Sequence, residues 1–405
     1  MRIALVHPDL GRAGGAEAVV AWTAAGLLDR GHELAIFTHR FAAELWPDGR
    51  RLAACVRPLS RLDESAAPAR LRSMGRGLRS QLAGFDLVHP HQREALHATE
   101  GCVAPRLWFC HEPWRRLHLE ATDRELFAAL DRPGIDAGHP ALQQLRRWHR
   151  RQTRWPWRRF ATTRAVAAER AAVARATATM VQSGYTARAF REAFGREPEV
   201  FDLGHPAASE PAPVAEVGVV RHGIGVTAGT SPKKNLHTVL ATAQELVRRG
   251  SLGGQTFEIW GGGTDSEETR EMVRAHGLGE RVRLHGFLGA DEAAALRRRC
   301  RLGLYLPLCE PFGLVAVEFL LSGTPVLVSD HGGPAETIAR TNGGATVDPL
   351  RPDAIADRLE QLFADPASLV AMGQRGAQRA RELFGMPRFL DALEARMHEL
   401  AAAAQ

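Results

Sequence analysis

The stretch VVRHGIGVTAGTSPKKNLHTVLATAQELV (219–247) decides the fold class. It opens on a β-branched run that ends in Ala-Gly, the pattern of a buried strand and its turn. A short polar turn with Ser231, Pro232 and Asn235 follows. Leu236, Val239, Leu240, Ala243, Leu246 and Val247 then recur at spacings of three and four, the pattern of an amphipathic helix. Moving outward, FEIWGG (257–262), VRLHGF (282–287), LGLYLP (302–307) and PVLVS (325–329) read as further buried strands. The first half repeats the alternation with RIALVH (2–7), ELAIFT (33–38), FDLVHPH (85–91) and RLWFCH (106–111), and with a helix over 16–30. Two rounds of strand–helix alternation predict an α/β chain with two doubly wound parallel-sheet domains. HPAASEPAPVAEV (205–217) is the linker candidate, which gives domains of 1–205 and 206–385 and a final helix over 386–405.

Composition narrows the class. With 405 residues, 45% hydrophobic and 24% charged, the chain buries large cores, which excludes disordered and fibrous readings. Its longest stretch without Asp, Glu, Lys or Arg, Ala176–Ala187, has 12 residues and is too short for a bilayer. Arg2, Asp9 and Arg12 around a short apolar run do not make a secretory signal. The expectation is a soluble cytoplasmic protein. Cys55, Cys102, Cys110, Cys300 and Cys309 form no CxxC pair and read as reduced thiols. Residues 1–200 carry 31 basic and 21 acidic side chains, and residues 201–405 carry 21 and 25, so a basic half precedes an acidic one. Of 52 Lys plus Arg only two are lysines, Lys233 and Lys234, adjacent in SPKKN. A GC-rich genome explains the arginines; it does not explain why the two exceptions are neighbours.

Three junctions carry candidate chemistry. After the first strand, Gly14 and Gly15 precede a helix, which suits either a plain turn or a loop over an anion at the helix N-terminus. In SPKKN, Ser231 or Asn235 is placed to cap the helix that Pro232 opens. Lys234 at that end is unfavourable to the helix dipole unless an anion is present, which makes it a phosphate counter-charge or an exposed surface lysine. In CEPFGLVAVEFLLSGTPVLVSDHGGPAET, Pro311 keeps Glu310 in a loop, Gly313 opens a turn, and Leu314–Leu321 reads as a short helix containing Glu318. The backbone N–H groups of Phe312, Gly313 and Leu314 lie at its start. Two carboxylates in apolar surroundings suit hydroxyl donors better than a glycosidase pair, because the helix between them separates them by about 12 Å. A helix cap with a surface glutamate is the plainer alternative.

HPDLGRAGGAE, WFCHEPWR, SPKKN, EPFGLVAVE and SDHGGPAE together resemble a family 4 retaining glycosyltransferase of the GT-B architecture, two facing Rossmann-like domains with a cleft between them. The resemblance implies that Glu310 contacts donor-sugar hydroxyls and Glu318 the nucleotide ribose. It implies that Phe312, Gly313 and Leu314 hold sugar or phosphate through backbone N–H groups, that Lys234 holds the diphosphate, and that Gly14 and Gly15 lie over the phosphates. His111 matches the family's cleft histidine, positioning the donor or steadying transition-state charge. Domain closure would exclude water. No cofactor and no metal is implied, and no DxD-type acidic motif is present. Where the family commonly has an arginine five residues before the phosphate lysine, this chain has Gly229. The interdomain segment reads VQSGYT and DLGHP where Asn-Ser and Pro-Gly-Val-Asp are usual.

LRRWHRRQTRWPWRRF (145–160) holds seven arginines and three tryptophans. Arg146, Arg147, Trp148, Arg150, Arg151, Trp155 and Trp157, with Arg115 upstream, suit a solvated arm, an acceptor site on an anionic lipid surface, or nucleic acid. No nucleic-acid motif accompanies them, so nucleic acid is not among the expected partners. The expected function is transfer of a hexose from a nucleoside diphosphate sugar to a hydroxyl of a glycan or lipid-linked acceptor, with retention. The resemblance to lipid-linked-oligosaccharide mannosyltransferases makes GDP-mannose the first donor and a UDP-sugar the second. A place at the inner face of the plasma membrane would follow from the arginine–tryptophan segment. The rival classes are a GT-B epimerase or phosphorylase, and a non-catalytic sugar-nucleotide or nucleic-acid binding module.

Overall fold

The computed structural model describes residues 1–63, 65–154, 156–209 and 221–404, apart from the side chains of 156–159. The chain divides into two units. Unit 1 comprises Met1–Thr122, His149–Ser209 and Phe384–Gln405; unit 2 comprises Asp123–Trp148 and Glu210–Leu383. Residues 123–148, which the sequence boundaries put in the first domain, thus cluster with the second, and the final helix clusters with unit 1. Much of the linker candidate, 210–217, lies outside the described residues, as does the start of the strand read from 219.

Unit 1 is built on parallel strands β1 (Arg2–Val6), β2 (Glu33–Thr38), β3 (Val56–Pro58), β4 (Leu87–Pro90), β5 (Leu107–Phe109), β6 (Ala178–Val181) and β7 (Glu199–Val200). They run β3-β2-β1-β4 and β5-β6-β7, and bridges Val88–Arg106 and His91–Phe109 join the two sets. Ile3, Ala4, Leu5 and Val6 are all buried, as a strand covered on both faces requires. The helix Gly15–Asp29 follows β1. The closing helix Met386–Ala402 packs back on it, with Leu390 against Gly26. Arg30 pairs there with Asp391 and Glu394, and His32 Nε2 lies 2.5 Å from Glu394 Oε1.

Unit 2 has six parallel strands: β8 (Ile224–Thr227), β9 (Phe257–Trp260), β10 (Val282–Leu284), β11 (Leu302–Tyr305), β12 (Val326–Ser329) and β13 (Gly344–Val347). Their order is β10-β9-β8-β11-β12-β13. The helix Leu236–Arg249 lays Val239, Leu240, Ala243 and Leu246 on a core with Ile224, Val226, Phe257, Ile259, Leu304, Ile355 and Leu359. Gly250 ends it in the left-handed conformation, with φ of 71°. Among the described residues, no helix is long and apolar enough to cross a membrane.

Candidate active site

In unit 2 the chain leaves β8 toward β9 and β10 on one side, and leaves β11 toward β12 and β13 on the other. The C-terminal ends of β8 and β11 therefore flank the topological switch point, where doubly wound sheets open a crevice for ligands. The loop after β8 carries Lys234 and the loop after β11 carries Glu310. Lys234 Nζ stands 3.0 Å from Glu310 Oε2 and 5.9 Å from the ring centre of Tyr305, the buried last residue of β11. Tyr305 and Glu310 raise the lysine's pKa above its ordinary value, so the ammonium keeps its charge. Burial raises the Tyr305 phenol, which stays neutral.

The two adjacent lysines have different surroundings. Lys233 pairs with the buried Asp123, and its carbonyl accepts a hydrogen bond from Leu308 N at 2.8 Å. Lys234 has a side chain 39% exposed. The expected cap at this turn is corrected: neither Ser231 nor Asn235 makes a side-chain cap bond. Asn235, at φ of 60°, instead donates through Nδ2 to the carbonyls of Leu306 (3.0 Å) and Pro349 (2.7 Å), tying the lysine turn to the ends of β11 and β13. His139 Nε2 lies 2.9 Å from Asn235 Oδ1, and the Cys309 thiol donates to Glu125 Oε2 at 3.7 Å. The segment 123–148 thus touches both loops of the switch point.

The loop around Glu310 is held by backbone that few residues tolerate. Gly313 (φ 86°) opens the helix Leu314–Leu321, and a Cβ there would meet Pro334 Cγ at 2.6 Å and Tyr305 Cε1 at 3.3 Å. Gly313 therefore lies against the same tyrosine as Lys234. Phe312 is buried and Leu314 half-buried. Gly333 N donates to Glu310 O at 2.9 Å, and a Cβ on Gly333 would stand 2.4 Å from Phe312 Cα and 2.6 Å from Pro311 O. Those are backbone atoms, which cannot step aside as a side-chain tip would. Gly333→Ala is therefore expected to cost about 1–3 kcal/mol of stability in a urea titration. It should also displace the Glu310 loop, so nucleotide-sugar affinity should fall with it.

Glu318 lies on the helix Leu314–Leu321, where Arg297 Nη1 approaches its Oε2 at 2.9 Å. Each glutamate thus has its own cation: Lys234 for Glu310, Arg297 for Glu318. Such carboxylates are acceptors for hydroxyls, not an acid–base couple sharing a proton.

In unit 1, the half-buried His111 follows β5 and joins the buried His7, His89 and His91 at the ends of β1 and β4. His111 Nε2 lies 3.0 Å from His91 Nδ1, and its ring stacks on Phe109 at 4.0 Å. Burial first, and then the neighbouring His7 and His89, push the His111 pKa down to about 3. Gly14 is the N-cap position of the helix Gly15–Asp29, and Gly15 its first residue. A Cβ on Gly14 would meet Glu17 Oε2 at 2.2 Å. The Glu17 carboxylate, paired with Arg12 at 3.4 Å, therefore sits at that helix end.

Arg115 pairs with Glu112. Arg146 donates to the carbonyls of Ala137 and Leu130, both at 3.3 Å, so it braces its own segment. Arg147, Arg150 and Arg151 are exposed on the helix Pro140–Thr153, and Trp148 is half-buried. Trp155 and the Trp157 side chain lie outside the described residues. No group of three or more His, Cys, Asp or Glu among the described residues is placed to hold a metal ion.

The model "Glycosyltransferase Family 4" matches residues 13–203, and "Glycosyl transferases group 1" matches residues 225–379. The chain belongs to the family 4 glycosyltransferases. Among its relatives, a D-inositol 3-phosphate glycosyltransferase of Gordonia bronchialis is 27% identical over 421 residues, covering 96% of this chain and 84% of the relative. A glycogen synthase of Mycobacterium tuberculosis is 29% identical over 188 residues, and the match spans only 44% of that relative's length and 42% of this chain. Human alpha-1,3/1,6-mannosyltransferase ALG2 is 29% identical over 174 residues, 40% of this chain and 41% of the relative. Among solved structures, sucrose-phosphate synthase from Thermosynechococcus elongatus superposes with a TM-score of 0.74 at 18% identity, covering 99% of both chains. HepE of Anabaena, solved with UDP-glucose, superposes at 0.69 and 18% identity over the whole of both chains. The fold of this family 4 chain is that of the GT-B glycosyltransferases, α/β with parallel sheets in two domains.

The motifs singled out in the sequence of this glycosyltransferase fall into two groups in space. Lys234, Glu310 and Gly313 meet around Tyr305, with Glu318 on the helix that Gly313 opens. His111 lies in the histidine cluster of unit 1. Sequence reasoning missed Tyr305, Arg297, Asp123 and the three other histidines. HPH at 89–91 was a visible signal for the cluster; nothing in the sequence announces that Asp123 meets Lys233, 110 residues away.

Proposed function

We propose that this chain transfers a hexosyl group, mannose from GDP-mannose in the first instance, to a hydroxyl of a glycan or lipid-linked acceptor with retained configuration. The observation that carries the reading is the Lys234 ammonium, held charged beside Glu310 at the switch point of unit 2. A compact cation there suits a leaving diphosphate, whose charge grows as the glycosidic bond breaks. In this reading Lys234 and the start of the helix Leu314–Leu321 take that charge without a metal. Glu310 accepts from sugar hydroxyls, and Glu318, oriented by Arg297, accepts from the ribose. Attack comes from the acceptor on the face the leaving group departs, so no enzyme nucleophile is required.

The names of related mannosyltransferases, ALG2 and a GDP-mannose-dependent phosphatidylinositol monomannoside mannosyltransferase of Mycobacterium tuberculosis, favour GDP-mannose. The UDP and UDP-glucose complexes of HepE favour a UDP-sugar as the second reading. The exposed arginines of the helix Pro140–Thr153 support an acceptor at an anionic membrane surface on the cytoplasmic side.

A thermal-shift panel of GDP, UDP, dTDP and their sugars separates the donors. A ligand at one hundred times its Kd stabilises by about 2.7 kcal/mol. GDP and GDP-mannose are expected to raise Tm; a rise with UDP compounds alone would transfer the reading to a UDP-sugar. The product's anomeric configuration by NMR tests retention, and an inverted product would end the proposed chemistry.

A further inference from the structure

Four imidazoles meet at the C-terminal ends of β1, β4 and β5, and their hydrogen bonds restrict where each proton sits. His89 Nδ1 lies 2.6 Å from the carbonyl of Leu107, so it donates and carries the proton. His7 Nδ1 accepts from the backbone N–H of Asp9 at 3.2 Å, so the proton of neutral His7 sits on Nε2. His91 Nδ1 and His111 Nε2 are 3.0 Å apart and share one proton between them. Which of the two donates is the open choice.

The neighbouring atoms decide it. His7 Nε2 and His91 Nε2 are both buried and without a hydrogen-bond partner among the described residues, and the two rings stand edge to face with centroids 6.3 Å apart. If His111 donated, His91 would carry its proton on Nε2. The cluster would then bury two orphan N–H donors, one on His7 and one on His91, each at the cost of an unmade hydrogen bond. If His91 donates from Nδ1, its Nε2 is a bare acceptor, and His7 Nε2–H is the single orphan donor of the pair. His89, 4.4 Å from His91 between ring centres, and Phe109, stacked on His111, hold the rings against reorientation. Burial keeps all four imidazoles neutral near pH 7.

We propose that His91 is a positioning residue: its Nδ1–H fixes His111 as the Nδ1–H tautomer, so that His111 presents a hydrogen-bond donor, not a base, to a substrate oxygen at the strand ends of unit 1. The inference rests on the proposed transfer reaction. A neutral donor lends no proton, but it supports an oxygen on which negative charge develops.

The test uses the full chain labelled with ¹⁵N-histidine. Long-range ¹H–¹⁵N correlation at pH 7 should show His111 and His91 protonated on Nδ1 and His7 on Nε2; His111 protonated on Nε2 overturns the proposal. His91→Leu should mix the His111 tautomers and lower the kcat of transfer at least tenfold while nucleotide Kd stays the same. His91→Asn, whose amide reaches the place of Nδ1, should restore most of that rate. Transfer by His91→Leu at the wild-type rate, or no rescue by asparagine, overturns the positioning role. Unimpaired transfer by His111→Ala would instead remove His111 from the substrate, and the tautomer measurement would still report on His91 by itself.

Discussion

Lys234→Ala is expected to weaken binding of the nucleoside diphosphate by about 1.5–3 kcal/mol, the scale of a hydrogen bond to a charged group. That corresponds to roughly a 10- to 150-fold rise in Kd by isothermal titration. Two observations set the size. The ammonium is held charged by Tyr305 and Glu310, so none of its charge is lost to titration near neutral pH. Its neighbour cannot replace it, because Lys233 is committed to the buried Asp123. Removal of Lys234 also leaves Glu310 as an uncompensated carboxylate facing an anionic ligand, which adds repulsion to the lost attraction. Lys233→Ala should behave differently, lowering stability through Asp123 more than it lowers nucleotide affinity. Unchanged affinity in Lys234→Ala would remove the lysine from the phosphates.

Unit 1 is expected to lose stability between pH 6.5 and 5. Burial lowers His7 and His89 to about 4 and His111 to about 3, and His91 well below its ordinary value. The sign follows from proton counting. Below pH 6.5 the unfolded chain binds a proton at each of these histidines and the folded chain does not, so acid favours unfolding. Each imidazole contributes up to about 1.4 kcal/mol per pH unit in that window. Most carboxylates titrate lower, so histidines dominate there. The urea midpoint of unit 1, read by pulsed hydrogen exchange in peptides carrying β1, β4 and β5, should fall as pH goes from 7 to 5. An unchanged midpoint would mean that the cluster is solvated and already titrates in the native state.

The fold was legible at the elements that flank the candidate junctions, while the 19-residue helices Pro156–Ala174 and Pro366–Phe384 were not read. Leu314–Leu321 is a helix with the bounds its sequence suggests, and the final helix begins at Met386. Strands were read too long, as with 302–307 against Leu302–Tyr305, because an apolar run continues into the buried turn after the last paired residue. β3, β6, β7 and β13 went unread: VRP and EV are polar and largely exposed, and ATMV and GATV carry small residues where the strands that were read carry large apolar ones. At the candidate site, the residues with unusual chemistry for their position were legible: a lysine at a helix start, a glutamate before proline. Their partners were not. Tyr305, Arg297 and Asp123 reach Lys234, Glu318 and Lys233 through the tertiary fold, and spacing along a chain carries no record of such contacts.

The chain passes between its two units four times, at 122/123, 148/149, 209/210 and 383/384. A protein made of two tandem modules could be cut once and each piece purified. Here a cut in the proline-rich segment near 210 would strand Asp123–Trp148, with Asp123 and His139, on the wrong fragment. It would also remove from unit 1 the helix that Arg30 and His32 grip through Glu394. Neither half is a self-sufficient cassette. The two units should therefore be exchanged only through all four junctions, carrying the 123–148 insert with unit 2 and the terminal helix with unit 1.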